Sequence, residues 1–133
     1  MADRHFSRAE VEALIPELTG LMEGIMAAHR EALAVREEMQ EDQQRIVLSG
    51  GGVVDQAAWR ARRARLDALA ARMNAGIEAV SALGGVIKDL ALGLVDFPHV
   101  RDGREVNLCW KYGERDIRFW HGLDEGYAGR KPL

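Results

Sequence analysis

Val80-Ser81-Ala82-Leu83-Gly84-Gly85-Val86-Ile87-Lys88-Asp89 is where the chain changes its hydrophobic period. Before the two glycines, apolar residues recur every three or four positions. After them, apolar and polar residues alternate. The first spacing lines one face of a helix and the second one face of a strand. The junction therefore splits the 133 residues into a helical part, 1–83, and a sheet part, 84–133.

Working back from the junction, one seam runs through Trp59, Arg62, Leu66, Leu69, Met73, Gly76, Val80 and Leu83. An earlier one runs from Val11 through Leu18, Ile25, Ala32 and Met39 to Ile46, and only Asp42 interrupts it. Steps of three and four in turn are the pattern of paired helices. Ser49-Gly50-Gly51-Gly52 breaks the chain between the seams, and Asp55 is placed to cap the second helix. Two long seams and a short glycine loop predict an antiparallel helical hairpin. Ser7-Arg8-Ala9-Glu10 reads as a capping box with Phe6 as its hydrophobic staple. Pro16 removes an amide donor and crowds the preceding turn, which predicts a kink there and a long helix starting near it.

Working forward, Val86–Asp89, Gly93–Phe97, Glu105–Lys111 and Asp116–Trp120 read as strands. Asp102-Gly103 and Gly113-Glu114 read as turns, and the tail from Gly122 to Leu133 as a loop. The expected fold is α+β: a long antiparallel helical hairpin followed by a small antiparallel β-meander of three to four strands, in one domain over residues 1–133.

If both turns hold two residues, Asp96 faces Cys109 and Cys109 faces Arg118. On the other side, His99 faces Val106 and Val106 faces His121. One face then carries Asp96, Glu105, Cys109, Arg118 and Trp120. The other is apolar, with His99 and His121 at one end. The polar row supports two readings. It is an ion pair across a small residue, or a thiolate activated by the nearby guanidinium. Cys109 and His121 fall on opposite faces, which argues against a cysteine–histidine nucleophilic pair. His99 and His121 would stand about 10 Å apart, two strand spacings. With Asp124, Glu125 or His5 as a third ligand they could hold zinc or iron; otherwise one is a core histidine and the other lies near solvent. Trp110 reads as core and Trp120 as a pocket wall or interface residue. Arg60, Arg62, Arg63 and Arg65 form a basic turn that suits a phosphate or, with acids of the facing helix, a salt-bridged surface.

Gly85-Val86-Ile87-Lys88-Asp89-Leu90, Gly93-Leu94-Val95-Asp96-Phe97-Pro98, Gly103-Arg104-Glu105-Val106, Leu108-Cys109-Trp110, Gly113-Glu114, Trp120-His121 and Gly129-Arg130 stand in a characteristic order. So do Phe6-Ser7 and Leu14-Ile15-Pro16-Glu17-Leu18. The pattern resembles a small bacterial family, domain of unknown function 2203, over nearly the whole chain. The resemblance implies that Lys88, Asp89, Asp96, Arg104, Glu105, Cys109, Glu114, His121 and Arg130 belong to the family signature. It also implies that His99 occupies a variable position, which leaves His121 the stronger histidine. No activity comes with it.

Composition bounds the rest. The net charge is −3, and residues 1–84 supply all of it, with ten Lys/Arg against thirteen Asp/Glu. That ranks nucleic-acid binding last. A single cysteine, Cys109, excludes an intrachain disulfide and suits a reducing cytoplasm. No apolar run approaches the ~20 residues that span a bilayer. The leading expectation is a small metal- or cofactor-binding protein. A divalent transition metal would be the cofactor, with His121 and His99 as metal ligands. Asp89, Asp96, Glu105, Cys109, Arg118, Trp120 and Arg130 are the ligand-binding candidates, and a small molecule is a possible partner. The alternative is an interaction module whose hairpin forms a homodimer or docks a partner.

Overall fold

The Ser7 hydroxyl accepts from the Glu10 amide at 3.1 Å, and the Ser7 amide donates to the Glu10 carboxylate at 2.9 Å, closing the capping box. Helix α1 follows, Arg8–Leu48, and helix α2 spans Gln56–Leu83. A computed structural model describes residues 2–50 and 55–133; Gly51 and Gly52 of the expected breaker lie outside them. The helices pack against each other as a hairpin. Five strands follow: β1 Val86–Asp89, β2 Leu94–Arg101, β3 Arg104–Lys111, β4 Phe119–Gly122 and β5 Lys131–Pro132. They form one antiparallel sheet in chain order, so the fold is α+β.

The expected kink does not divide the first helix: α1 is one run of 41 residues with Pro16 inside it. Proline leaves the Glu12 carbonyl without its helical donor. Val11, Ile15 and Leu18 are buried on both sides of it, and tertiary packing of that stripe outweighs the lost bond. The side chain of Asp55 caps α2 by accepting from the Ala58 amide at 3.0 Å. At its other end Gly84 takes φ +100°, and the Gly85 amide donates to the Val80 carbonyl at 3.2 Å. Only glycine fits: a Cβ on Gly84 would lie 2.2 Å from the Phe6 ring.

The β2–β3 hairpin follows the expected register, with Asp96 opposite Cys109 and His99 opposite Val106. Asp102 and Gly103 both have positive φ, +50° and +77°, as the tightest hairpin turn requires. The β3–β4 connection does not follow it. Cys109 pairs with Phe119 rather than Arg118, and His121 pairs with Asn107 rather than Val106. β4 begins at Phe119, not Asp116, and residues 112–118 make a connection in place of a two-residue turn.

Side chains account for the longer connection. The Glu114 carboxylate takes the Lys111 amide at 2.6 Å, and the Trp110 indole donates to the Glu114 carbonyl at 3.0 Å. Ile117 then drops fully into the core, pulling the chain away from β3 before it returns as β4. The tail also departs from the expected loop, because it holds a 3-10 turn at Tyr127–Gly129 and β5.

The inner face of the sheet meets the proximal half of the hairpin. Val95, Phe97, Leu108 and Trp110 pack with Val11, Leu18, Met22 and Val80. Each such side chain contributes roughly 1.5–3 kcal/mol on burial. Phe6 sits edge-on to Phe97 at 5.4 Å, and its amide donates to the Pro98 carbonyl at 2.7 Å, tying the N-terminal segment to β2. Among the described residues, no helix is long and apolar enough to cross a membrane.

Ile117→Ala tests what holds the connection in place. It should cost about 2–5 kcal/mol, read as a lower urea midpoint. A change within 0.5 kcal/mol would show that Ile117 is not the anchor.

Candidate functional site

Because β4 is offset by one residue, His121 turns to the outer face of the sheet and joins Asp96 of β2 and Cys109 of β3. The expectation that Cys109 and His121 lie on opposite faces is thus overturned: a one-residue slip exchanges every side chain of a strand. All three are buried, at 2% exposure for Asp96, 1% for Cys109 and 3% for His121. Lys88 and Asp89 of β1 and Leu123, Glu125, Gly126 and Tyr127 of the tail line the space beside them. One ligand-capable atom from each of the three lies within 4.8 Å of the others.

The hydrogen bonds at this cluster are incomplete. Nδ1 of His121 is 2.9 Å from the Gly122 carbonyl. A carbonyl only accepts, so Nδ1 carries the proton, and in the neutral ring Nε2 keeps a lone pair. Nε2 lies 2.9 Å from Oδ2 of Asp96. With the ring protonated on both nitrogens that approach is an ion pair; with the ring neutral it sets two lone pairs against each other. No aligned hydrogen bond reaches either Asp96 oxygen among the described residues, and the Cys109 thiol lies beside the carboxylate. Buried carboxylates without donors are costly. Burial first, and the Asp96 charge second, push the Cys109 thiol up to about 12, against a smaller downward pull from Arg130. A nucleophilic triad is excluded by the same geometry. It needs one ring nitrogen for the acid and one for the thiol; here Nδ1 holds a backbone carbonyl and the acid lies on Nε2.

The cluster forms the floor of a cleft of about 330 Å³. Leu92, Leu94, Leu123 and Tyr127 supply apolar walls; Lys88, Asp89, Asn107 and Glu125 supply polar ones. The tail's contribution was missed when it read as a loop. The apolar Ile117 after the charged run Glu114-Arg115-Asp116 was the signal that could have revealed the anchored connection, and with it the face of His121.

The remaining candidates are dispersed. Asp89 lines the cleft and accepts from the Leu92 amide at 2.8 Å, closing the β1–β2 turn. His99 is apart from the cluster, its Nδ1 2.6 Å from the Phe6 carbonyl, so the expected His99–His121 metal pair does not form. Glu105 binds the N-terminal segment through the Ala2 amide at 2.8 Å and His5 at 3.0 Å. Arg118 is exposed and paired with Asp116 at 2.7 Å. Trp120 is opposite Leu108 and packs on the core, between Arg101 and Lys131. It is therefore no wall of this cleft. Arg130 grips both Glu114 oxygens at 2.8 and 2.9 Å, and its guanidinium stacks 4.1 Å from the Phe119 ring, fastening the tail to the sheet. In the basic turn, Arg62 pairs with Asp42 and Arg65 with Glu31 of α1.

Residues 4–133 match the family model described as uncharacterized conserved protein, DUF2203. The chain belongs to this family. No match is found among curated proteins or among solved structures. The match to the DUF2203 model takes in both the helical hairpin and the sheet, including the three residues of the cluster.

Two outcomes follow. In the native protein Cys109 should resist iodoacetamide at pH 8 and react within minutes once unfolded, as followed by intact mass. Glu105 is held below its ordinary 4.5, first by the Ala2 amide and then by His5. A carboxylate depressed on folding stabilises above its unfolded value, and the gain fades as pH falls below that value. The melting difference between wild type and Glu105→Gln should accordingly be full at pH 6, begin to shrink as pH falls through 4.5, and be lost only below the lowered folded value.

Proposed function

We propose that this protein binds one divalent transition-metal ion, zinc by preference, between Asp96, Cys109 and His121. The observation that carries this is the Asp96 carboxylate, buried against Nε2 of His121 and the Cys109 thiol with no aligned hydrogen bond to either oxygen among the described residues. A cation there faces all three donor atoms and takes the place of the proton that His121 must otherwise carry to pair with Asp96.

The donor chemistry supports the same reading. Oxygen, sulfur and nitrogen ligands together suit borderline-soft zinc. Tetrahedral bonds of about 2.0–2.3 Å place ligand atoms roughly 3.3–3.6 Å apart. The 2.9 Å Asp96–His121 contact and the 4.8 Å limit bracket that spacing, so small side-chain rotations complete it. The Nδ1–H bond to a backbone carbonyl is the outer contact that orients metal-binding histidines. Three protein ligands leave a fourth position open toward the cleft.

Chelator-stripped protein should take up one zinc equivalent in equilibrium dialysis and melt at a higher temperature with zinc. Cobalt substitution should add a thiolate charge-transfer band that Cys109→Ser removes. Asp96→Asn and His121→Ala should each lower zinc affinity at least about tenfold while circular dichroism confirms folding. If stripped protein takes up no metal and its melting is insensitive to zinc, Asp96 and His121 are a structural ion pair and the proposal fails.

A second reading concerns the other end of the molecule. Beyond Ala32 in α1, and before Leu69 in α2, neither helix has a fully buried residue. Leu33 and Trp59 are half exposed there, at 49% and 50%. We propose that this distal half pairs with a second copy, because two helices alone leave their seams thinly covered. Light scattering should give the dimer mass, and Trp59→Glu should shift it to monomer. A monomer at high concentration would end this reading.

A further inference from the structure

We infer that the cleft above the cluster is the binding site of a small carboxylic acid with an apolar body, whose carboxylate completes the coordination of the cation on the cleft floor. This rests on the metal reading of Asp96, Cys109 and His121.

The lining of the cleft separates by height. At the floor lie the buried Asp96, Cys109 and His121. Around the opening, Leu92, Leu123 and Tyr127 are large hydrophobic side chains left 43%, 56% and 40% exposed. Exposed apolar groups converging on one concavity mark a ligand site more than scattered ones do. Nothing among the described residues covers them, although both neighbouring segments are firmly held. The Leu92 amide is fixed by Asp89, and the tail is fastened by Arg130 on Glu114. An apolar body of ligand would bury these three.

The polar groups select the head. Glu125 is occupied by Lys131 at 2.6 Å and by the Gly122 amide at 3.3 Å. Asp89 accepts from the Leu92 amide. Lys88 is the one lysine or arginine that lines the cleft among the described residues, and it forms no ion pair among them. The Asn107 amide, also lining it, makes no side-chain hydrogen bond among them. Both can donate, and the cation accepts an oxygen ligand. A head group of acceptor oxygens with one negative charge meets all three. The volume, about 330 Å³, lies at the small end for organic ligands. That suits about ten non-hydrogen atoms rather than a nucleotide or a peptide.

Phenylacetate, acetate and benzylamine distinguish the parts in calorimetric titrations of zinc-loaded protein. Phenylacetate should bind at least tenfold tighter than acetate, which lacks the body. Benzylamine, which lacks the acceptor head, should not bind. Leu123→Ser and Lys88→Ala change exposed residues and should each weaken phenylacetate at least threefold with zinc affinity unchanged. Equal binding of acetate and phenylacetate, binding of benzylamine, or no effect of either variant would overturn the inference while leaving the metal reading intact. Failure of zinc to bind removes the metal reading. Phenylacetate binding undiminished in metal-free protein overturns the inference separately, because the carboxylate then needs no cation.

Discussion

A strand has two faces, and the connection between β3 and β4 decides which one His121 occupies. Glu114 closes a turn on Lys111, Trp110 holds the Glu114 carbonyl, and Ile117 is sunk in the core. Those contacts fix the offset of β4 by one residue. Everything on the outer face depends on that offset. With it, the imidazole meets the Asp96 carboxylate and the Cys109 thiol. Without it, the imidazole would point into the helices and the carboxylate would face Arg118 across the sheet.

The inner and outer faces of this sheet use the same strands for opposite purposes. Inward, Phe97, Leu108 and Trp110 are sealed against the hairpin, where burial stabilises the fold. Outward, Asp96 and Cys109 alternate with them and are buried too, although burial of a carboxylate is costly. The tail that lines the cleft beside them is itself held by Arg130 on Glu114, the residue that shapes the β3–β4 connection. Glu114 thus takes part both in shaping the connection and in fastening the tail, which ties the two together mechanically.

The helices were legible because three-four spacing is a local signal repeated over many turns. The continuous course through Pro16 was not, since it depends on burial of Val11, Ile15 and Leu18 against a sheet some eighty residues away. The β2–β3 register was legible from Asp102-Gly103, whose positive φ angles leave the turn little choice. Gly113-Glu114 carries a similar sign without the same outcome. Tertiary capture of Ile117 lengthened that connection, and no dipeptide rule contains it. Asp96, Cys109 and His121 were therefore each identified as candidates, but their meeting was not. His99 and Arg118 were drawn in by the same error of one residue.

The thin burial of the distal hairpin makes α1 one helix in shape and two in energy. Its first half is clamped between α2 and the sheet, so opening there requires much of the core to come apart. Its second half rests on backbone bonds, a partly covered seam and surface ion pairs, each worth little alone. Helices so loaded do not melt as a unit: local opening needs only a small fraction of the global free energy. A gradient of protection must then run along about 60 Å of helix. The end remote from the cleft is the end that yields, and it can be remodelled or paired without disturbing the register on which the outer face depends.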